Sequence, residues 1–205
     1  MPQIGLFPLE LVLLPTERVP LHIFEDRYRE LIGESLADGT EFGIVLEDAD
    51  GLREVGTSTG VLEVVHTFDD GRMNILVEGR RRFRVVELTE GRSYRTSEVE
   101  PFEDEDEADP TEAETQRTLE AFRRLAVVAE AEEVDVAATG EEPLSFRLGA
   151  RVDFGTMLKQ ELLELRSERV RLDRLVDLLG HAANALAREQ EVRERASGNG
   201  KVTRD

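Results

Sequence analysis

Between Gln3 and Pro101, β-branched and aromatic residues come in short apolar runs that turn residues interrupt repeatedly. The pattern predicts strands over Gln3–Leu6, Arg18–Phe24, Phe42–Glu47, Val55–His66, Arg72–Glu78, Arg82–Leu88 and Tyr94–Pro101. Asp50-Gly51, Asp70-Gly71 and Glu90-Gly91 each offer a glycine able to take positive φ between apolar runs, so consecutive strands are expected to pair as antiparallel hairpins. VLEVVHTFDDGRMNILVEG carries this signature most fully. One helix interrupts the strands. From Glu25 to Ala37, Tyr28, Leu31, Ile32 and Leu36 stand at i, i+3, i+4 and i+8, and Asp38-Gly39 supplies the stop. Short strands with one helix point to a small closed or nearly closed β-barrel, plugged on one side by that helix.

After Pro110 the period changes from two to 3.6. Thr111-x-x-Glu114 is a capping box, and Leu119, Phe122, Leu125, Ala126 and Ala129 follow on one face. Gly140 and Pro143 break the chain, and shorter helical patterns cover Leu144–Arg151 and Phe154–Leu165. The last helix holds its stripe from Leu172 through Leu175, Val176, Leu179, Ala183 and Leu186. Narrow apolar stripes of this kind need one another, which predicts a helical bundle. The fold class is therefore α+β. Its parts are a β-barrel over 1–102, an acidic linker EDEDEADP over 103–110, a bundle over 111–196 and a polar tail over 197–205.

Composition narrows the function. The 205 residues are 40% hydrophobic but only 5% aromatic, so aliphatic side chains must fill the core. Lys and Arg number 26 against 45 Asp and Glu, and the net charge of −19 disfavours nucleic acid and anionic lipid as partners. Cysteine is absent, which removes thiol nucleophiles and Cys-ligated zinc and fits a reducing compartment. The opening MPQIGLFPLELVLLP lacks a basic n-region, and no apolar run is long enough for a membrane span, so a cytoplasmic location is expected.

Catalytic motifs are not legible. Gly200-Lys201 lacks the upstream glycine and downstream hydroxyl of a phosphate-binding loop. Lys159 stands between acids on a helix, poorly placed for a Ser-Lys dyad. His22, His66 and His181 are scattered, without metal-ligand spacing, and fit surface positions. No catalytic residue, metal or cofactor is assigned. Arg80-Arg81-Arg82 with Arg84 is the dense basic cluster. If Phe83 and Val85 point inward, Arg82 and Arg84 point to solvent and pair with surface acids.

The order of motifs carries a resemblance. Pro20, Leu21, Ile23, Phe24, Glu25, Arg27 and Tyr28 form P-L-x-I-F-E-x-R-Y, followed by GIVL at 43–46, VGT at 55–57 and GRMNILVEGRRRFRV at 71–85. Further on come KQELLE at 159–164 and Arg171-Leu172 with Leu175 and Leu179. Over residues 3–182 the chain resembles the N-terminal, substrate-binding domain of Lon proteases, and looks like a stand-alone member of a bacterial group. The resemblance implies a PUA-like pseudo-barrel followed by a helical bundle, and a non-enzyme that binds unfolded or damaged polypeptides. The expected binding surface lies between barrel and bundle, with Leu13, Leu14 and Pro15 exposed in a loop and Phe24, Arg27 and Tyr28 beside the helix start. Phe24 and Tyr28 also fit core packing against the helix, and Arg27 a buried ion pair. An adaptor that docks on a folded partner protein, and an RNA-binding PUA-like domain, are the alternative functions.

Overall fold

The computed structural model describes residues 2–105, 108–131 and 142–198. Among these, the chain forms seven strands and five helices. The strands are β1 (Gln3–Leu9), β2 (Arg18–Ile23), β3 (Phe42–Asp48), β4 (Gly51–Leu52), β5 (Val55–Thr67), β6 (Met73–Thr89) and β7 (Thr96–Pro101). The helices are α1 (Asp26–Asp38), α2 (Glu112–Val128), α3 (Leu144–Gly149), α4 (Thr156–Glu164) and α5 (Glu168–Gly198). The predicted turns use their glycines as expected, with Gly51, Gly71 and Gly91 at φ of 107°, 83° and 114°. Gly39 ends α1 in the left-handed region, its N–H donating to the Ser35 carbonyl.

Pairing runs β1–β7–β6–β5–β3, and β3 returns to pair in parallel with β1. The hydrogen-bonded path therefore closes on itself, which removes sheet edges along that ring. Inside and around it pack Phe7, Ile44, Phe42 and Ile75 with Tyr28, Leu31 and Ile32 of α1. A second cluster joins Leu6, Val45, Phe83 and Val99. Two strands predicted as separate, 72–78 and 82–88, are one. β6 passes through Gly79 without a turn, pairing first with β2 and the second half of β5, then with the first half of β5 and with β7. The α1 stripe also differs by one position, since Ser35 is buried with its hydroxyl donating to the Thr40 carbonyl while Leu36 is exposed.

The chain divides into two compact units. One comprises Met1–Glu107 and Gly140–Glu168, the other Ala108–Thr139 and Arg169–Asp205. The division departs from the expected bundle over 111–196, because α3 and α4 go with the sheet. Phe146 and Leu163 bury themselves in a cluster with Val12, Leu14, Leu46, Val55 and Phe102. Short helices with few apolar residues bury more surface on an existing sheet than on each other.

In the second unit α2 starts on the predicted capping box: Glu114 N–H donates to Thr111 Oγ1 at 3.3 Å and Thr111 N–H to Glu114 Oε2 at 2.7 Å. Arg169 grips the Glu114 carboxylate at 2.7 Å, Arg117 pairs with Asp173, and Arg124 donates to Asn184 Oδ1 at 2.8 Å. These contacts advance in the same sense along α2 and α5, so the two helices run parallel. A parallel pair needs a long connection, and residues 129–167 separate α2 from α5 in the sequence.

The acidic run is not wholly solvated. Glu105 N–H donates to the Arg166 carbonyl, Arg166 Nε to the Glu103 carbonyl, and Asp104 binds Arg82. Residues 106–107 of the expected linker, and the tail from 199 onward, lie outside the described residues.

Candidate binding surface

The loop predicted to be exposed is interior. Leu13 and Leu14 are buried to 1% and 0% exposure, and Pro15 is buried as well. Leu13 joins the α1 cluster and Leu14 the cluster of Phe102 and Phe146. What pulls the loop inward is Gly79. Thr16 N–H donates to the Gly79 carbonyl at 2.8 Å, and Gly79 N–H donates to the Glu17 carbonyl at 2.9 Å. Glu17, itself buried, accepts from the Leu14 N–H at 3.0 Å and from Lys159 Nζ at 2.5 Å. Lys159 is thus neutralised by a carboxylate, the wrong partner for nucleophile activation.

The arginine cluster is also absorbed. Phe83 is buried as expected, yet Arg82 on the opposite face is buried too, because the end of α4 covers it. Its guanidinium donates to the Leu163 and Leu165 carbonyls at 2.9 and 2.7 Å and to the Asp104 carboxylate, and it stacks over Phe102 and Phe146. It therefore satisfies carbonyls that the last turn of a helix leaves unpaired. Arg80 pairs with Glu41 at 2.9 Å, Arg81 reaches the same carboxylate at 3.5 Å, and Arg84 faces Glu100 at 3.7 Å. Burial pushes the Glu41 carboxyl up, but hydrogen bonds from Ser58 and Arg80 and the Arg81 charge outweigh it, so it ionises below its usual range. Arg80, Arg81, Arg82, Glu41 and Glu100 line a cavity of about 760 Å³ in the first unit, together with Phe83, Val99 and Phe102. Its arginines all face carboxylates, which leaves no bare cationic face for a phosphate backbone.

The residues beside the helix start are split. Tyr28 is buried, its ring 4.1 Å from that of Phe7. Burial raises its phenol pKa against the opposing Arg27 charge. Arg27 lies at the surface over the Tyr28 ring and pairs with Glu25 at 2.8 Å, so its ion pair is not a buried one. Phe24 is 60% exposed, far more than an aromatic core residue.

Phe24 borders a three-stranded arm, formed by β2, the first half of β6 and the second half of β5. Leu21, Ile75 and Val64 stand in one cross-strand row, and His22, Asn74 and His66 in the next. Alternate rows face the α1 cluster, which leaves the histidine row outward. His22 stacks on Phe24 with centroids 6.0 Å apart, and Phe68 sets its edge against both His22 and His66 at 5.9 and 4.5 Å. His22 Nδ1 lies 2.6 Å from Asn74 Oδ1 and donates to it. Along β5, Leu62, Val64 and Val65 are 50%, 40% and 58% exposed. The sequence does not mark this stretch as exposed, because Val61-Leu62 and Val64-Val65 are adjacent apolar pairs that alternation cannot place on one face. Two register shifts, between Val61 and Glu63 and between Val64 and His66, turn Leu62 and Val65 out of that alternation. Among the described residues no group of three or more His, Asp or Glu is placed to hold a metal.

Comparisons with known proteins agree on one family. The family described as the ATP-dependent protease La (LON) substrate-binding domain matches residues 3–181. A Lon protease of Bacillus thuringiensis is 26% identical over 204 residues, covering 92% of this chain and 26% of that protein. The Lon protease 1 of Bacillus subtilis is 22% identical, covering 94% of this chain and 27% of the relative. The chain thus spans about a quarter of these curated relatives. A solved Lon N-terminal domain protein from Xanthomonas campestris superposes with a TM-score of 0.67 at 23% identity, over 86% of this chain and 98% of its own. The N-terminal domain of a Mycobacterium avium complex Lon protease gives 0.64 at 21%, over 87% and 98%.

Proposed function

Because the chain belongs to the Lon substrate-binding domain family, we propose that it is a non-catalytic module that holds unfolded or exposed apolar segments of other polypeptides. We place this work in the bacterial cytoplasm, on a fold of the PUA-like pseudo-barrel type, a reading that the closed strand ring supports. The observation that carries the function is the exposure of four large apolar side chains along the arm, Phe24, Leu62, Val64 and Val65, with Val64 in the row that faces the α1 cluster. Large apolar side chains left exposed close together mark contact sites, and an acidic protein stays soluble while displaying them. The site residues are therefore Phe24 with Arg27 at its flank, with Tyr28 and Leu13 in the α1 cluster, while Leu14 and Pro15 are buried away from it.

The test is fluorescence anisotropy with a reduced, unfolded model polypeptide and its folded form, without nucleotide. Binding is expected for the unfolded form alone. Burying a phenylalanine side chain is worth about 1.5–3 kcal/mol, so Phe24→Ser should weaken binding by about tenfold to a hundredfold. Equal binding of folded and unfolded forms, or none to either, would refute the reading.

A further inference from the structure

We propose that the outer edge of β5 over residues 61–67 captures its client by strand addition, and that the preferred segment alternates apolar residues with lysine or arginine. This rests on the polypeptide-binding reading above and names the mode of capture and the chemistry of the client.

Beyond Thr59, where its pairing with β3 ends, β5 pairs only with β6. Among the described residues no hydrogen bond reaches the other edge of 61–67, and residues 62–67 are all exposed. An open edge presents a row of unpaired backbone donors and acceptors, which an extended chain can complete. The opposite edge of the arm is protected. β2 carries Pro20 at its middle, and proline cannot donate to a new strand. The β5 edge has no proline and instead carries Leu62, Val64 and Val65. One edge of the same sheet is therefore blocked and the other left open.

Charge selects the occupant. Glu63 lies within the edge and Asp69 just beyond it, both exposed and neither in an ion pair with a described residue. Two uncompensated carboxylates beside an apolar strip complement cationic side chains on the incoming strand. A second copy of this chain fits less well. It would bring another −19 of charge and a second set of the same acids, and the two bulges would break a long regular pairing between identical edges. A short flexible segment can follow the bulged edge.

The experiment uses the full chain and a fluorescein-labelled heptapeptide of alternating valine and lysine. Three further peptides replace lysine by glutamate, or N-methylate every valine, or every lysine. The lysine peptide is expected to bind and the glutamate peptide to bind at least about tenfold more weakly. Methyl groups remove the hydrogen bonds of one peptide edge only, so one methylated peptide should lose about tenfold or more while the other keeps its affinity. Glu63→Lys with Asp69→Lys, on exposed positions that leave the core intact, should invert the preference to the glutamate peptide. Val65→Pro, with its fold checked by circular dichroism, should abolish binding of both. Equal affinity of both methylated peptides for the protein would overturn strand addition, even if unfolded polypeptide still binds through Phe24. An unchanged preference in the double lysine variant would overturn the charge rule. A dimer that Val65→Pro dissociates would overturn it in favour of a second copy. Failure of unfolded polypeptide to bind at all would remove the broader reading instead.

Discussion

Gly79 is the residue on which the first unit turns from loop to sheet, and replacing it with alanine tests that role. A Cβ at this position would lie 2.2 Å from the Leu14 carbonyl oxygen and 3.1 Å from Leu13 Cγ. The oxygen belongs to backbone, so it yields only if the 13–17 loop moves. Moving it strains the two hydrogen bonds between Gly79 and residues 16 and 17 and loosens Leu14, which is wholly buried. Overpacking of this kind costs about 1–3 kcal/mol, and each weakened backbone hydrogen bond about 0.5 more. Gly79→Ala should therefore destabilise by about 2–4 kcal/mol, a large share of the stability of an ordinary domain. The chain has no tryptophan, and both its tyrosines, Tyr28 and Tyr94, lie in the first unit. Tyrosine fluorescence in a urea titration thus reports that unit, with a midpoint expected to fall by about 1–2 M. Gly33→Ala is the matched control. Nothing lies within 4 Å of a Cβ there, in the interior of α1, so the same chemical change should stabilise by about 0.5–1 kcal/mol. A Gly79→Ala midpoint within about 0.3 M of the parent would refute the close-approach reasoning.

Two further outcomes follow from the buried and capping charges. Arg82→Met keeps the apolar stem but removes the guanidinium that serves two carbonyls and the Asp104 carboxylate, and should cost about 2–4 kcal/mol in the same urea assay. Arg82→Lys, which keeps the charge and loses the planar fork, should fall between the two. In the second unit the hydrogen bond from Arg169, with those from the Thr111 backbone and hydroxyl, holds the Glu114 carboxyl down to about 2 from its ordinary 4.5. A lowered folded-state pKa stabilises above the unfolded value, so this contribution is complete above pH 4.5 and is lost as pH falls from there toward 2. Helical circular dichroism of thermal melts across that window should show the fall in the parent and a flatter profile in Glu114→Gln.

The local elements were legible because their signals are local. Positive-φ glycines after Asp50, Asp70 and Glu90, the Thr111–Glu114 box and the Gly39 stop each depend on a few neighbouring residues. The exposure of all three histidines also agrees with the strand- and helix-surface positions read for them. The errors come from long-range partners. Alternation placed Arg82 in solvent on the premise that the outer face of a barrel strand is wet, and the end of α4 covers that face instead. The loop at Leu13–Pro15 reads as a sticky surface until Gly79, more than sixty residues away, is seen to draw it in. Lys159 reads as an exposed helical lysine, and its partner Glu17 is farther still. Nothing in the sequence near either residue announces the pair.

The same contrast between closed and open edges separates the proposed binding edge from the stabilising ring within one sheet. In the ring each strand is paired along both sides, its apolar rows face a shared interior, and its one buried cation, Arg82, is fully engaged. Such strands offer a polypeptide no open backbone edge, although Val86 and Leu88 of β6 expose 45% and 52% of their surface. The arm lacks closure, so its rim residues must be blocked, charged or used. Pro20 blocks one rim, and the pairs of Arg18 with Glu78 and of Arg72 with Asp70 give its ends charge that is already balanced. Over Leu62–Val65 none of these devices operates except the lone Glu63. A stretch left apolar, unpaired and acid-flanked in a molecule that protects its other edges is where an extended cationic segment gains most by docking.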